Sequence, residues 1–294
     1  MNTLLVAPQL LTLCRESLAR SVRQLPSLPA VVTQLMDLMQ RQDVSLEQVS
    51  TTLSLDQALS ARVLQLANSP FYGVSGRVHS IRDGVSILGL RQLGTLVLAA
   101  VLSAQFEHLH GRALRLDEFW RHAIACAVAA RALAQSQGMD PAMAFTAGLL
   151  HDVGRLVLDQ QHPAEMSQAV AWAQAHDLSH EETESELLAV SHSEVGGWVA
   201  DHWRLPVSVV AAIQGHHQPP ASAQLSLTDL VHVANAIAHA LDLAGASDEA
   251  VPLMNPGSWA RLGLRPTELP PLLQQIEQEF QELRAVLRPS QETP

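Results

Sequence analysis

Residues 147–158 read AGLLHDVGRLVL, an apolar run that is interrupted by the adjacent pair His151 and Asp152. The flanking apolar residues predict a buried helix, and a buried polar group without a partner costs about 1–3 kcal/mol. Two such side chains in succession therefore need partners. A metal ion would satisfy both, and the rest of the chain supplies further residues of the same kind.

The composition predicts an all-α fold. Hydrophobic residues make up 47% of the 294 residues but aromatic residues only 4%, so Leu, Ala and Val must build the core. Ala and Leu favour helices, and runs of the β-branched and aromatic residues that strands prefer are few. We expect a multi-helical bundle with an N-terminal helical subdomain over residues 1–107, a helical core over residues 108–288 and a disordered tail over residues 289–294.

Charge and cysteine content exclude several functions. The net charge is −11 and every basic residue is an arginine, with no long basic cluster, so we expect neither nucleic acid nor a membrane as a partner. The apolar stretch over residues 92–106 is shorter than the roughly 20 residues of a spanning helix and predicts a core helix. Cys14 and Cys126 form no CxxC motif, which fits a reduced, cytoplasmic setting.

Capping signals predict where the helices begin. Ser45 and Gln48 have the spacing of a capping box, Asp56 and Ser80 can each cap a helix, and Asp140 precedes a proline at a first helical position. The helix that begins there is expected to carry the His-Asp pair, and residues 245–259 are expected to form a loop. The other predicted helices cover residues 27–42, 44–54, 55–69, 80–89, 90–106, 118–138, 163–176, 179–188, 191–203, 205–217, 225–243 and 267–287.

Histidines and carboxylates bind divalent metals, and most of the fourteen histidines follow residue 107. The candidate ligands are Glu118, His122, His151, Asp152, His192, His216, His217 and Asn235. Most have a structural alternative. Glu118 and His122 can form a pair on one helix face. His216 and His217 can end a helix, where a cationic histidine is favoured, and Asn235 can satisfy a backbone group in the core.

The order of these residues resembles the HD superfamily of metal-dependent phosphohydrolases. Within it the chain is most similar to the HDOD proteins, bacterial signalling domains related to the HD-GYP cyclic di-GMP phosphodiesterases. The resemblance covers about residues 22–243. In the first half it is carried by LPSLPAV (25–31), SLDQALSARVLQLANSPFYG (54–73) and VHSIRDGVSILGLRQL (78–93).

In the second half the candidate ligands match the histidines and the His-Asp pair of the superfamily, and Glu118 matches a carboxylate of the HD-GYP enzymes. The chain departs from the family pattern at several places. Gln57 replaces a usual proline, and Asn235 stands where the last aspartate is expected. Arg155 stands where HD-GYP enzymes carry a lysine, and the GYP segment expected after His217 is absent.

The resemblance implies an HD-like helical core in which the candidate ligands hold one or two divalent ions of iron, manganese or zinc. It also implies a regulatory module that acts through an unidentified signalling protein or through a nucleotide or phosphate ligand. The alternative is an active phosphohydrolase on a nucleotide or cyclic dinucleotide, in which Asp152 binds the ions and Arg155 contacts a phosphate oxygen. The amide at position 235 and the absent GYP segment favour the regulatory module.

Overall fold

The computed structural model describes residues 12–25, 34, 45–54, 57–69, 72, 76–90, 93–94, 97, 101, 113–245 and 251–287. Within these ranges every regular element is a helix, which confirms the predicted all-α class. Several predictions lie outside the described residues: the helix over residues 27–42, most of the helix over residues 90–106, the Asp56 cap, the boundary near residue 108 and the tail over residues 289–294.

In the N-terminal region the described helices are α1 (Arg15–Gln24), α2 (Leu46–Ser54), α3 (Gln57–Ala67) and α4 (Ile81–Leu88). The predicted capping box of α2 is confirmed, because the Ser45 backbone N–H donates to Gln48 Oε1 (3.1 Å) and the Gln48 backbone N–H donates to Ser45 Oγ (3.2 Å). The helix after Ser80 is also confirmed, since the Ser80 hydroxyl accepts from the backbone of Asp83 at 3.1 Å.

The C-terminal core has α5 at its centre, and α6, α12 and α14 all pack against it. Small buried side chains such as Ala123 and Ala130 on α5 allow these helices to approach closely. None of the described helices is both long and apolar enough to span a membrane. The helices of the core are α5 (Leu116–Ser136), α6 (Pro141–Leu150), α7 (Val153–Gln161), α8 (Pro163–His176), α9 (His180–Leu188), α10 (His192–His202), α11 (Val207–Gly215), α12 (Leu227–Ala240), α13 (Pro256–Leu262) and α14 (Leu269–Leu287).

Two details of the core differ from the prediction. The expected single helix around the His-Asp pair is wrong, because α6 ends at Leu150 and α7 begins at Val153, so that the pair lies at a junction. The backbone of Asp152, with φ −101° and ψ 10°, departs from the helical conformation. The expected loop over residues 245–259 is also wrong at its end, because the Asn255 side chain accepts from the Ser258 backbone at 3.0 Å and caps α13.

Candidate metal centre

Six of the predicted ligands meet inside the C-terminal core: His122 of α5, the pair His151 and Asp152 at the α6–α7 junction, His192 at the start of α10, and His216 and His217 directly after α11. We call these six residues the His–Asp152 cluster. Their donor atoms form two sets, each within 4.8 Å: Asp152 with His192, His216 and His217, and Asp152 with His122 and His151. Asp152 belongs to both sets and therefore lies at the centre.

The ring nitrogens of the cluster converge on the Asp152 carboxylate. Its Oδ1 lies 3.2 Å from His192 Nε2, 3.4 Å from His151 Nε2 and 3.5 Å from His216 Nε2. Its other oxygen, Oδ2, accepts a hydrogen bond of 3.4 Å from Arg155 Nη1. One carboxylate thus faces three imidazole nitrogens and one guanidinium in a buried space.

The two remaining rings complete the cluster through close nitrogen pairs. His122 Nε2 lies 3.2 Å from His151 Nε2, and His217 Nε2 lies 3.0 Å from His192 Nε2. Two nitrogens at such a distance need either a proton or a cation between them, because two lone pairs repel each other. Nitrogen atoms of this kind are the donors that zinc, iron and manganese bind.

Backbone carbonyls fix the tautomers of two cluster rings. His151 donates its Nδ1–H to the Gly148 carbonyl and His216 donates its Nδ1–H to the Ile213 carbonyl, each at 2.8 Å. A carbonyl only accepts, so the neutral ring carries its hydrogen on Nδ1 and turns the Nε2 lone pair towards the cluster. His216 Nε2 is buried and has no hydrogen-bond partner among the described residues. A metal ion would satisfy this atom.

His192 is held by a carboxylate instead. The Oε2 atom of Glu184 accepts from both the backbone N–H and the Nδ1–H of His192, at 2.7 Å each. Glu181 lies close by, with Oε2 3.5 Å from the same Nδ1 and with Oε1 accepting from the Ser193 hydroxyl at 2.7 Å. The sequence analysis missed both glutamates.

A signal for Glu184 is nevertheless present in the sequence. The helix HEETESELL carries Leu187 and Leu188 three and four residues after Glu184, which places all three side chains on one face. That face is buried, and Glu184 is only 1% exposed. A carboxylate on the apolar face of an otherwise acidic helix indicates a specific partner.

The other predicted site residues have different positions. Glu118 is outside both donor sets, and its Oε1 pairs with Arg115 Nη1 at 2.8 Å. Asn235 is buried in α12, and its Oδ1 accepts no hydrogen bond from the described residues. The ring of His239, one turn after Asn235, lies 4.4 Å from the ring of His122, a neighbour that the sequence analysis missed.

Electrostatics keep three of the six cluster residues in a form that can bind metal. Burial, with neighbouring histidines, lowers the pKa of His151 well below its usual value, so that ring is neutral. Burial likewise lowers the pKa of His217, again with help from neighbouring histidines. Burial alone would raise the pKa of Asp152, but the rings of His151 and His192 outweigh it and hold that pKa well below its usual range. The neutral rings of His151 and His217 beside the ionised Asp152 are protonation states that a metal site requires. His192 differs, because burial would lower its pKa but the carboxylates of Glu184 and Asp152 outweigh burial and hold that pKa well above its usual value. A metal ion would therefore have to displace a proton from this ring.

Gly154 allows α7, which follows Asp152, to pack closely against α10, which begins at His192. A methyl group at this position would overlap the backbone carbonyl of His192 and would lie 2.6 Å from the backbone nitrogen of Gly196. Only a glycine therefore allows α7 and α10 to approach so closely. This contact places Asp152, just before α7, beside His192 at the start of α10.

Comparison with known proteins shows which family the chain resembles. The model of the HDOD domain family matches residues 25–219. The solved structure of an HDOD domain protein of unknown function from Geobacter sulfurreducens is 28% identical, covers 93% of this chain and 97% of that chain, and gives a TM-score of 0.76. A Shewanella amazonensis SB2B protein, whose name proposes a phosphohydrolase activity, is 28% identical and covers 92% of this chain and 98% of that chain, with a TM-score of 0.71.

A curated relative extends the comparison. It is an uncharacterized protein from Treponema pallidum (strain Nichols), 26% identical over 206 residues, which are 69% of this chain and 40% of the relative. The chain thus spans about two fifths of the length of the curated relative it matches. Since the family model covers well over half of the chain and the fold agrees with solved HDOD structures, the chain belongs to the HDOD domain family.

Proposed function

We propose that this chain is a regulatory HDOD module that holds a divalent transition-metal ion in the His–Asp152 cluster. The observation that carries the proposal is the convergence of three histidine Nε2 atoms on Asp152 Oδ1 at 3.2–3.5 Å. A purely structural network would pair these atoms with hydrogen-bond donors. Here three ring nitrogens share one carboxylate oxygen, and two of them also face the nitrogens of further rings, which is an arrangement typical of a ligand site.

The donor set indicates which ion is held. Nitrogen donors from His122, His151, His192, His216 and His217 with one carboxylate oxygen suit iron, manganese or zinc better than magnesium. The two donor sets allow one or two ions, with Asp152 common to both. When bound, such an ion supplies Lewis acidity towards a phosphate ester. We propose that the module signals by binding a partner protein or a nucleotide or phosphate ligand.

A second candidate function is hydrolysis of a nucleotide or cyclic dinucleotide. Two observations favour it: the similarity to the Shewanella protein and the position of Arg155, whose guanidinium lies beside the Asp152 carboxylate. A guanidinium there could contact a phosphate oxygen.

The regulatory function is better supported than hydrolysis. The amide of Asn235 offers a hard cation a weaker ligand than a carboxylate would. The segment that joins His217 to α12 is short and contains no GYP motif.

Elemental analysis tests the metal site. The wild-type protein, incubated separately with iron, manganese and zinc and then desalted, is expected to retain one or two ions. The double variant His151→Ala plus Asp152→Ala is expected to retain none. The matched control changes another adjacent His-Asp pair, at the end of α8, by His176→Ala plus Asp177→Asn, since Asn tolerates the left-handed backbone of position 177. Equal metal contents in all three proteins, or none in the wild type, would refute the proposal.

A turnover assay separates the two functions. The metal-loaded wild type and its Asn235→Asp variant are assayed with cyclic di-GMP and with a generic phosphodiester. The regulatory function predicts no turnover by the wild type. If the wild type hydrolyses either substrate and the His151→Ala plus Asp152→Ala variant does not, the protein is a phosphohydrolase instead.

A further inference from the structure

We propose that Glu184 is the positioning residue of the metal centre: its carboxylate orients His192 so that the Nε2 atom of this ring faces Asp152. The inference rests on the proposed metal site and adds a residue of α9 that donates no atom to the His–Asp152 cluster. The observation behind the inference is that one oxygen of the Glu184 carboxylate accepts hydrogen bonds from both the backbone N–H and the ring Nδ1–H of His192.

The backbone contact fixes where α10 begins. Ser191 caps this helix, and His192 is its first residue, so the backbone N–H of His192 has no acceptor within the helix. Glu184 Oε2 accepts this N–H at 2.7 Å. The Cα position of His192 is therefore tied to α9 as well as to its own helix.

The ring contact fixes which nitrogen enters the cluster. Glu184 Oε2 also accepts the Nδ1–H of His192 at 2.7 Å, while Nε2 of the same ring lies 3.2 Å from Asp152 Oδ1. Rotation of the ring by half a turn would break the bond to Glu184. His151 and His216 rely on backbone carbonyls for the same purpose, whereas His192 uses a carboxylate, which makes its Nε2 the more basic ligand.

The burial of Glu184 indicates that its carboxylate has a specific partner. The residue is 1% exposed, and its second oxygen, Oε1, has no hydrogen-bond partner among the described residues. Burying a carboxylate in this way is costly. A glutamine oxygen could also accept both N–H groups, but a carboxylate is the stronger acceptor for the ring N–H.

The turn between the two helices holds Glu184 in place. Ala189 has a left-handed backbone (φ 60°), which reverses the chain so that α9 lies beside the start of α10. The N-terminal segment braces this turn, because the Leu13 backbone N–H donates to the Leu188 carbonyl at 2.9 Å and Arg15 Nη1 donates to the Ala189 carbonyl at 3.1 Å.

The test compares Glu184→Gln and Glu184→Ala with the control Glu194→Gln. Glu194 lies two residues after His192 and pairs with Arg15, so the control removes the same charge without touching the ring. Metal affinity is measured by competition with a chelator. We expect a loss of about 10-fold in Glu184→Gln and about 100-fold in Glu184→Ala, the range found for partners that orient metal ligands. The control should bind as tightly as the wild type.

A second measurement does not depend on metal. In the metal-free protein, the Nδ1–H of His192 should give a ¹⁵N-resolved proton signal that exchanges slowly with water, assigned by its absence in His192→Gln. The signal should persist in Glu184→Gln and in the control and should be lost in Glu184→Ala. This measurement reports the orientation of the ring directly. A variant that is less stable but still folded would keep the signal.

The outcomes separate this inference from the proposed function. If the wild type binds no ion, the metal function fails, and the proton signal alone decides whether Glu184 orients the ring. If both Glu184 variants bind metal as the control does, or if the signal survives in Glu184→Ala, the positioning role is refuted. Should Glu184→Ala not fold, the affinity of Glu184→Gln decides, and a wild-type affinity refutes the role.

Discussion

Two buried sets of polar residues lie in the C-terminal core, and they differ in whether their polar atoms have hydrogen-bond partners. In the first, Asp229 accepts at Oδ1 from Ser258 Oγ (2.6 Å) and Arg261 Nη2 (2.5 Å), and at Oδ2 from the Ser226 backbone (2.9 Å) and hydroxyl (2.7 Å). We call these four residues the Asp229 network. Both carboxylate oxygens have donors. In the His–Asp152 cluster, by contrast, nitrogen faces nitrogen and the Nε2 atom of His216 has no partner among the described residues.

A single histidine, His232, links the His–Asp152 cluster to Asn255, which caps the helix that carries Ser258 and Arg261 of the Asp229 network. His232 donates its Nδ1–H to the His216 carbonyl at 2.7 Å and accepts at Nε2 from the Asn255 backbone at 2.8 Å. Both of its ring nitrogens are used, so His232 stabilises the fold although it touches a cluster residue. Burial alone therefore does not single out a candidate ligand histidine, and an inward-facing nitrogen without a hydrogen-bond partner is the more specific signal.

The largest effect is expected at the centre of the cluster. Asp152→Ala should abolish metal binding and with it the stabilisation by metal, which is about 4 kcal/mol when the free ion exceeds its dissociation constant about a thousandfold. Thermal unfolding of both proteins with and without the preferred ion measures this difference. A metal-dependent rise in the melting temperature of Asp152→Ala would contradict the assignment of Asp152 to the centre.

The next effect compares two histidines. His232→Leu leaves the His216 carbonyl and the Asn255 N–H without their partner and should cost about 3 kcal/mol in the metal-free protein. His216→Leu should cost about 1 kcal/mol there, because it breaks only one bond, to the Ile213 carbonyl, and also removes an unsatisfied nitrogen. Urea unfolding of the two metal-free variants tests this ranking. The reverse order would contradict the distinction between His232, whose two ring nitrogens both have partners, and His216, whose Nε2 has none among the described residues.

A smaller effect is expected within the Asp229 network. Ser258→Ala removes a buried donor to a carboxylate and should cost about 2 kcal/mol, the value of a hydrogen bond to a charged group. The metal content should stay at the wild-type level. Ser222→Ala, an exposed serine in the same region, serves as the control and should change stability by less than about 0.5 kcal/mol. A loss of metal in Ser258→Ala would show that the two groups are not independent.

The last prediction concerns the stability of the protein in acid. Burial would raise the pKa of Asp229, but Arg261, Ser258 and Ser226 outweigh it and lower that pKa from 3.8 to about 2. The ionised carboxylate therefore stabilises the folded state fully above pH 3.8, and this contribution is lost as the pH falls towards 2. The difference in unfolding free energy between wild type and Asp229→Asn should be constant near neutral pH and should shrink below pH 3.8. A difference that does not change with pH would contradict the lowered pKa.

Much of the fold and the site could be predicted from the sequence because both leave local signals. Capping residues such as Ser45, Ser80 and Asp140 act over two or three positions, and the structure shows each of their hydrogen bonds. The histidines that meet in the cluster were candidates because their order along the chain resembles that of a known family. The helix α13 was missed because its cap, Asn255, lies among loop-type residues.

The partners of the candidate residues could not be predicted in the same way, since they depend on how helices pack. Glu118 is an exception, because its partner is the local residue Arg115, three positions earlier, and the sequence analysis considered only the spacing of Glu118 to His122. Glu184 had no apparent role, because only the reversal of the chain at Ala189 brings it to His192. The break between α6 and α7 was hidden by apolar residues that suit a continuous helix equally well.

Because of that break, the number of residues in the segment 151–154 determines the geometry of the whole cluster. Within four positions the chain supplies a cluster histidine, the shared carboxylate and the glycine that touches α10, each in a different structural setting. Inserting one residue between Asp152 and Gly154 would rotate the following helix by about 100° relative to the carboxylate. Natural variation and loop grafting should therefore change the length of the 218–226 connection far more readily than that of residues 151–154.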